Sequence, residues 1–154
     1  MHIKIKKILC PVDFSDMSER CLQYAVTCAA AHKANLEVLH VMELPFLPSY
    51  STAALDSSMN GLVERVGKEC ENRLIALLDK YRDQCPNISH RVVVGTPFME
   101  IIHMAKDEHF DLIVMGTRGH TGIRHILLGS VASKVVRNAP CPVLTVKIEK
   151  HEEE

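Results

Sequence analysis

The chain has 154 residues, 47% of them hydrophobic, with 18 Lys and Arg against 19 Asp and Glu and a formal net charge of −1. Such a length and apolar share suit one compact domain with its own core, without a second domain. The near-neutral balance argues against a nucleic-acid binder or a polybasic membrane anchor, and no apolar run approaches membrane-spanning length.

Lys4 to Val12 gathers its apolar residues in Ile8-Leu-Cys-Pro-Val and then meets Asp13 and the Ser15-Asp16 pair, which reads as a strand followed by a loop. The lysines of Met1 to Lys7 precede a stretch too short for a signal peptide. Asp16 and Glu19 stand at capping-box spacing ahead of Leu22, Ala25, Val26 and Ala29, predicting a helix that runs to His32. Leu36 to Val41 reads as a second strand. Within the 43–61 connection, Pro45 to Gly61 holds two prolines and several serines and is either a functional lid or a mobile excursion.

Val63, Val66, Cys70, Leu74, Leu77 and Tyr81 form an apolar stripe that predicts a long second helix ending before Pro86. Arg91 to Val94 reads as a short third strand. Thr96 and Pro97 suit the N-cap and first position of a third helix, whose buried face is Phe98, Ile101, Ile102 and Ala105. Leu112 to Met115 is a fourth strand, and Ser130 to Asn138 a fourth helix with Val131, Val135 and Val136 facing inward. Pro142 to Ile148 closes the pattern as strand five, and Glu149 to Glu154 is a charged tail expected to fray. The domain is thus read as residues 1–148. Strands alternating with helices imply parallel pairing, so the expected fold is a doubly wound α/β sheet with helices on both faces.

Cysteines at 10, 21, 28, 70, 85 and 141 show neither CxxC spacing nor the density of a secreted scaffold. The reading is reduced, buried thiols, and hence a cytoplasmic location.

Between the fourth strand and fourth helix, Met115-Gly-Thr-Arg-Gly-His-Thr-Gly continues to Gly129-Ser130, placing glycines in the order G-x2-G-x9-G-S. Glycine lets the backbone take positive φ and lets a ligand approach without meeting a Cβ. Ser130 opens a helix, where unpaired N–H groups and the positive end of the macrodipole attract anions. From Leu112 to Ile148 there is no Asp or Glu, while Arg118, Arg124, Lys134, Arg137 and Lys147 are present. Ser130 serves either as a cap or as a phosphate donor, and Asp13 taken alone is either a turn former or a ligand group. Arg118 is read as a phosphate partner and Arg124 as solvated. His120 and His125 are read as solvated, because loop spacing fixes no ligand geometry and no nearby Cys or carboxylate completes a metal site. The remaining histidines, His40 among them, default to core or surface roles. In open parallel sheets ligands bind beyond the strand C-termini where strand order reverses, so adjacency of strands one and four would bring Asp13 and Gly116 to one crevice.

With Cys10-Pro-Val-Asp13, the G-x2-G-x9-G-S signature and Cys141-Pro-Val-Leu, the chain resembles the universal stress protein family, in particular its ATP-binding branch, over residues 4 to 148. The resemblance implies the strand order 3-2-1-4-5, a Rossmann-like sheet, an adenine nucleotide between strands one and four, and a homodimer through strand 143–148. It implies that Asp13, following Pro11 and Val12, meets the ribose, that Val41 lies against the base, and that Met115 packs beside the nucleotide. Gly116, Gly119, Gly129 and Ser130 match the phosphate-loop positions, with Val131 and Ala132 following. Some ATP-binding members carry a hydroxyl where Ala132 stands, so one phosphate contact is absent here. The apolar residues Val143, Leu144, Val146 and Ile148 at a sheet edge give the dimer independent support, since exposed edges pair unless covered.

The chain lacks G-x4-G-K-[ST], a GxGxxG after the first strand and G-x-S-x-G. It also offers no evident base to activate water for hydrolysis. The expectation is therefore a nucleotide-binding regulatory protein using ATP, with or without Mg²⁺, and acting on an unknown protein partner. A slow ATP hydrolase or nucleotidyl-transferring enzyme, with at most weak turnover, is the alternative; a nucleotide-free dimeric interaction module is a second.

Overall fold

The computed structural model describes residues 2–44, 57–118 and 128–147. Along the chain run β1 (Lys7–Pro11), α1 (Asp16–His32), β2 (Asn35–Met42), α2 (Ser57–Asp79), β3 (Ile88–Val94), α3 (Pro97–Asp107), β4 (Leu112–Gly116), α4 (Ser130–Asn138) and β5 (Val143–Val146). The strands form one parallel sheet in the order β3-β2-β1-β4-β5, the order expected. β1 pairs with β2 from Lys7↔Asn35 to Pro11↔Leu39 and with β4 at Ile8↔Leu112 and Leu9↔Ile113. Strand order therefore reverses beside β1.

Side chains alternate across the strands, and the two faces bury two apolar clusters. One face carries Ile8, Cys10, Leu36, Val38 and Val114 against Leu22, Ala25 and Val26 of α1 and Leu74 and Leu78 of α2. The other carries Leu9, Leu39, Ile113 and Met115 against Ile101 and Ala105 of α3 and Ala132 and Val135 of α4. Leu22, Leu36, Leu74 and Leu78 have no exposed surface, and each such side chain stabilises the fold by about 1.5–3 kcal/mol relative to exposure.

Several local expectations are corrected. The cap of α1 is Ser15, whose side chain accepts from Ser18 N, and Asp16 is the first helical residue. Helix α2 starts at Ser57, inside the stretch expected to be irregular through Gly61, while residues 45–56 of that stretch lie outside the described ones. Strand β3 starts at Ile88 because its ladder with β2 runs unbroken from Leu36↔Ile88 to Met42↔Val94. Val136 is 46% exposed, since the nine-residue α4 turns Ala132 and Val135 inward and carries Val136 around to solvent. Thr96 is the N-cap position of α3, as expected, but makes no side-chain cap hydrogen bond. All six cysteines are free; Cys10, Cys21 and Cys85 are buried, and Cys28, Cys70 and Cys141 are half-buried. The residues after Lys147, with Ile148 and the charged tail, lie outside the described ones.

Toward the N-terminal end of the sheet, charges are matched to one another. The N–H groups of Lys6 and Lys7 donate to Asp111 Oδ2 at 2.8 and 3.0 Å. Lys7 Nζ donates to the Glu108 carbonyl at 2.7 Å. The Arg91 guanidinium donates to both oxygens of Glu108 and reaches Glu37 Oε1 at 2.7 Å. The fork from Arg91 holds the Glu108 carboxyl below the usual carboxylate range, and Glu108 in turn raises Arg91.

Candidate functional site

At the opposite end of the sheet β1 and β4 separate, and a cavity of about 830 Å³ opens above them. Its floor is formed by the strand ends: Pro11 of β1 with Val12 and Asp13 after it, Val41 and Met42 of β2, and Met115 and Gly116 of β4. The β1 end is held by Val12 N donating to Leu39 O at 2.8 Å, and the β4 end by Thr117 N donating to Val146 O at 3.1 Å. Each loop thus leaves the sheet from a fixed point.

From β1 the chain turns sharply. Asp13 Oδ1 accepts from Ser15 N at 3.0 Å and from Ser15 Oγ at 2.5 Å. Phe14, between them, sits at φ 62°, a left-handed conformation that costs a bulky residue on the order of 1–3 kcal/mol. Its ring packs against His40, 4.5 Å away between centroids, and against the Arg73 guanidinium at 4.1 Å. His40 Nδ1 lies 2.9 Å from Val12 O; since a carbonyl only accepts, that nitrogen carries the proton.

From β4 the chain continues through Thr117 and Arg118, and it returns at Gly129, whose N–H donates to Thr117 O at 2.6 Å. Gly129 caps α4 with φ −66° and ψ 168° and makes no side-chain cap hydrogen bond, and the first turn of the helix has no acidic residue. The positive end of α4 therefore faces the cavity uncompensated by a side-chain cap. Gly116 meets a separate demand. A Cβ there would stand 2.8 Å from Met17 Cγ and 3.1 Å from Cys21 Sγ, so this glycine lets α1 pack against the end of β4. Burial and then the negative charge of Asp13 push the Cys21 thiol up to about 12, and burial also raises Cys10, with Cys21 adding to it. These thiols are inert at neutral pH.

The third wall comes from α2. Its second half buries Leu74 and Leu78, but its first half turns Met59, Leu62, Val63 and Val66 to the cavity. Leu62 is 49% exposed.

The expected site residues among the described ones, Pro11, Val12, Asp13, Val41, Met115, Gly116, Arg118, Gly129, Ser130, Val131 and Ala132, all line this one cavity. Gly119, with Arg124, His120 and His125, lies outside the described residues. Sequence reasoning missed Met17, Ser18, His40, Thr117 and the α2 wall. The wall had a readable signal: apolar residues at helical spacing running ahead of Leu74 into a segment rich in Ser and Gly. Among the described residues no group of three His, Cys, Asp or Glu could hold a metal ion, and no helix is long and apolar enough to cross a membrane.

Comparison with known proteins places this geometry among relatives. Residues 4–147 match the model of the universal stress protein family. A universal stress protein of Methanocaldococcus jannaschii is 37% identical over 150 residues, covering 96% of this chain and 85% of that protein. The structure of universal stress protein UspA from Lactobacillus plantarum superposes with a TM-score of 0.81 at 30% identity, covering 94% of this chain and 99% of that one. A universal stress protein solved in complex with cAMP superposes with a TM-score of 0.67 at 25% identity, covering 94% and 98% respectively.

Proposed function

Because the chain belongs to the universal stress protein family, we propose that it is a cytoplasmic, ATP-binding regulatory protein of the stress response. The observation that carries this reading is the meeting of Asp13 with the uncapped start of α4 across one cavity. A carboxylate suits ribose hydroxyls, which donate, and a helix N-terminus suits phosphate, which accepts. The two ends of a nucleotide thus find opposite chemistry on opposite sides of the β1–β4 crevice. Val41 and the apolar α2 wall suit the flat face of a base. The relative solved with cAMP supports an adenine nucleotide as the class of ligand. In the ATP reading, Gly116, Gly119, Gly129, Ser130, Val131 and Ala132 border the triphosphate and Arg118 supplies a cation. Mg²⁺, where required, rides mainly on phosphate oxygens and water, as that ion commonly does.

ATP held here biases contacts with a protein partner by its different affinity for two states of the protein. A homodimer forms through residues 143–148: β5 is the edge strand and its Leu144 is 38% exposed, a combination that invites pairing. Light scattering checks this, because a monodisperse monomer would rule out the edge-paired dimer.

The direct test of the ligand is mass spectrometry of what is released from freshly purified protein, followed by calorimetric titration with ATP. Near-stoichiometric ATP or ADP, with binding on titration, is the expected result; no release and no heat across physiological ATP concentrations would sink the reading. A steady-state phosphate-release assay is expected to stay near background, and turnover abolished by Asp13→Ala would favour an enzyme instead.

A further inference from the structure

The turn between β1 and α1 contains a hydroxyl with two tasks. Ser15 Oγ donates to Asp13 Oδ1 at 2.5 Å and accepts from Ser18 N at 3.2 Å. A serine hydroxyl has one proton and two lone pairs, so a single rotor orientation satisfies both bonds. The N–H of Ser15 donates to the same Asp13 oxygen at 3.0 Å. Two donors from one residue converge on one carboxylate oxygen and hold it in place.

The turn is held against relaxation from outside. Phe14, at φ 62°, is locked by His40 and Arg73, which come from β2 and α2. Ser15 itself is absent from the cavity wall, while Asp13 and Ser18 on either side are part of it. Ser15 therefore acts on a ligand only through its neighbours, and Asp13 is the one to which its hydroxyl donates.

We propose that Ser15 is a positioning residue for ligand selectivity: it sets the Asp13 carboxylate before the ligand arrives, and the preference for a ribose bearing its hydroxyls depends on it. The proposal rests on the nucleotide reading above. Preorganised acceptors bind more tightly because the cost of ordering them is met on folding. A hydrogen bond to a charged group is strong enough to separate ligands with and without its donor by about tenfold or more.

The test compares calorimetric affinities for ATP and for 2′,3′-dideoxy-ATP, which lacks both ribose hydroxyls. Wild type is expected to prefer ATP by about tenfold or more. Ser15→Ala is expected to bring that ratio below about threefold, and Ser15→Thr, which keeps the hydroxyl, to retain it. Ser15→Gly separates the two tasks, because glycine is well tolerated at an N-cap but has no hydroxyl to donate to Asp13. It is expected to melt near the wild-type temperature while losing the preference, and it remains informative if Ser15→Ala folds poorly. A role confined to capping would weaken both ligands equally in Ser15→Ala and leave the ratio intact, which overturns the proposal. So would a wild type that binds both compounds alike. Wild type binding neither compound would overturn the nucleotide reading itself, and Ser15's role with it.

Discussion

The two ends of the sheet solve opposite problems. Toward the N-terminal end, Arg91, Glu37, Glu108, Lys7 and Asp111 satisfy one another through side-chain and main-chain hydrogen bonds. Toward the C-terminal end the chain arranges donors and acceptors around open space: a helix start with no side-chain cap, a carboxylate fixed by its neighbours, and a floor of small or apolar residues. Polar groups at one end complete the fold, whereas those at the other are oriented but arranged around a volume that a ligand could fill. The presence of charge does not distinguish a site from a structural network. What distinguishes them is whether the groups converge on one another or on a cavity.

This contrast is breakable by mutation. Gly129→Val places a branched side chain at the cap of α4 and is expected to lower ATP affinity by about a hundredfold or more, the equivalent of about 2.7 kcal/mol, well beyond the roughly 1 kcal/mol of folding stability that a poor N-cap residue costs. Unchanged affinity in the folded variant would place the phosphates elsewhere. Gly116→Ala forces a Cβ against Met17 and Cys21, and overpacking of this kind costs about 1–3 kcal/mol. Urea denaturation should show that loss even without ligand, separating a packing glycine from one that only admits phosphate.

At the other end, Glu108→Gln should cost only about 1 kcal/mol, because both partners of the Arg91 pair are partly exposed. ATP affinity should stay the same; a drop would mean that the two ends are coupled. The pH dependence gives a second readout. Because Glu108 titrates below its ordinary range in the folded protein, its contribution is complete above the unfolded carboxyl value of about 4.3 and is lost as pH falls through the lowered value. The variant should show a shallower acid-side loss of stability. The smallest effect is expected for Thr96→Ala, within about 0.5 kcal/mol, since that side chain makes no capping bond.

Much of the fold was legible because each strand carries its own burst of apolar residues and each helix its own stripe. Ile8 to Cys10 and Ile113 to Met115 are buried on both faces, and a continuous apolar run is what such strands require. The start of β3 was less visible, since Ser89 and His90 look like loop residues and enter the sheet through the ladder supplied by β2. The start of α2 was hidden for a related reason: Ser57, Ser58 and Gly61 have weak helix preference, and tertiary position overrides it. On the candidate site, the glycine signature pointed to the connection between β4 and α4, and of the residues it singled out Gly116, Gly129 and Ser130 line the cavity, while Gly119 lies outside the described residues. The clamp on Phe14 by His40 and Arg73 was invisible, because nothing local in the sequence joins three residues on separate elements.

The distribution of thiols makes the molecule its own gauge of opening. Alkylating reagents or peroxide reach Cys28, Cys70 and Cys141 from partly open positions, whereas Cys10 and Cys21 lie between β1 and α1 with no surface at all. Modification of that inner pair requires the helix to leave the strand, so its rate reports the larger openings of the domain while the outer three keep time for local breathing.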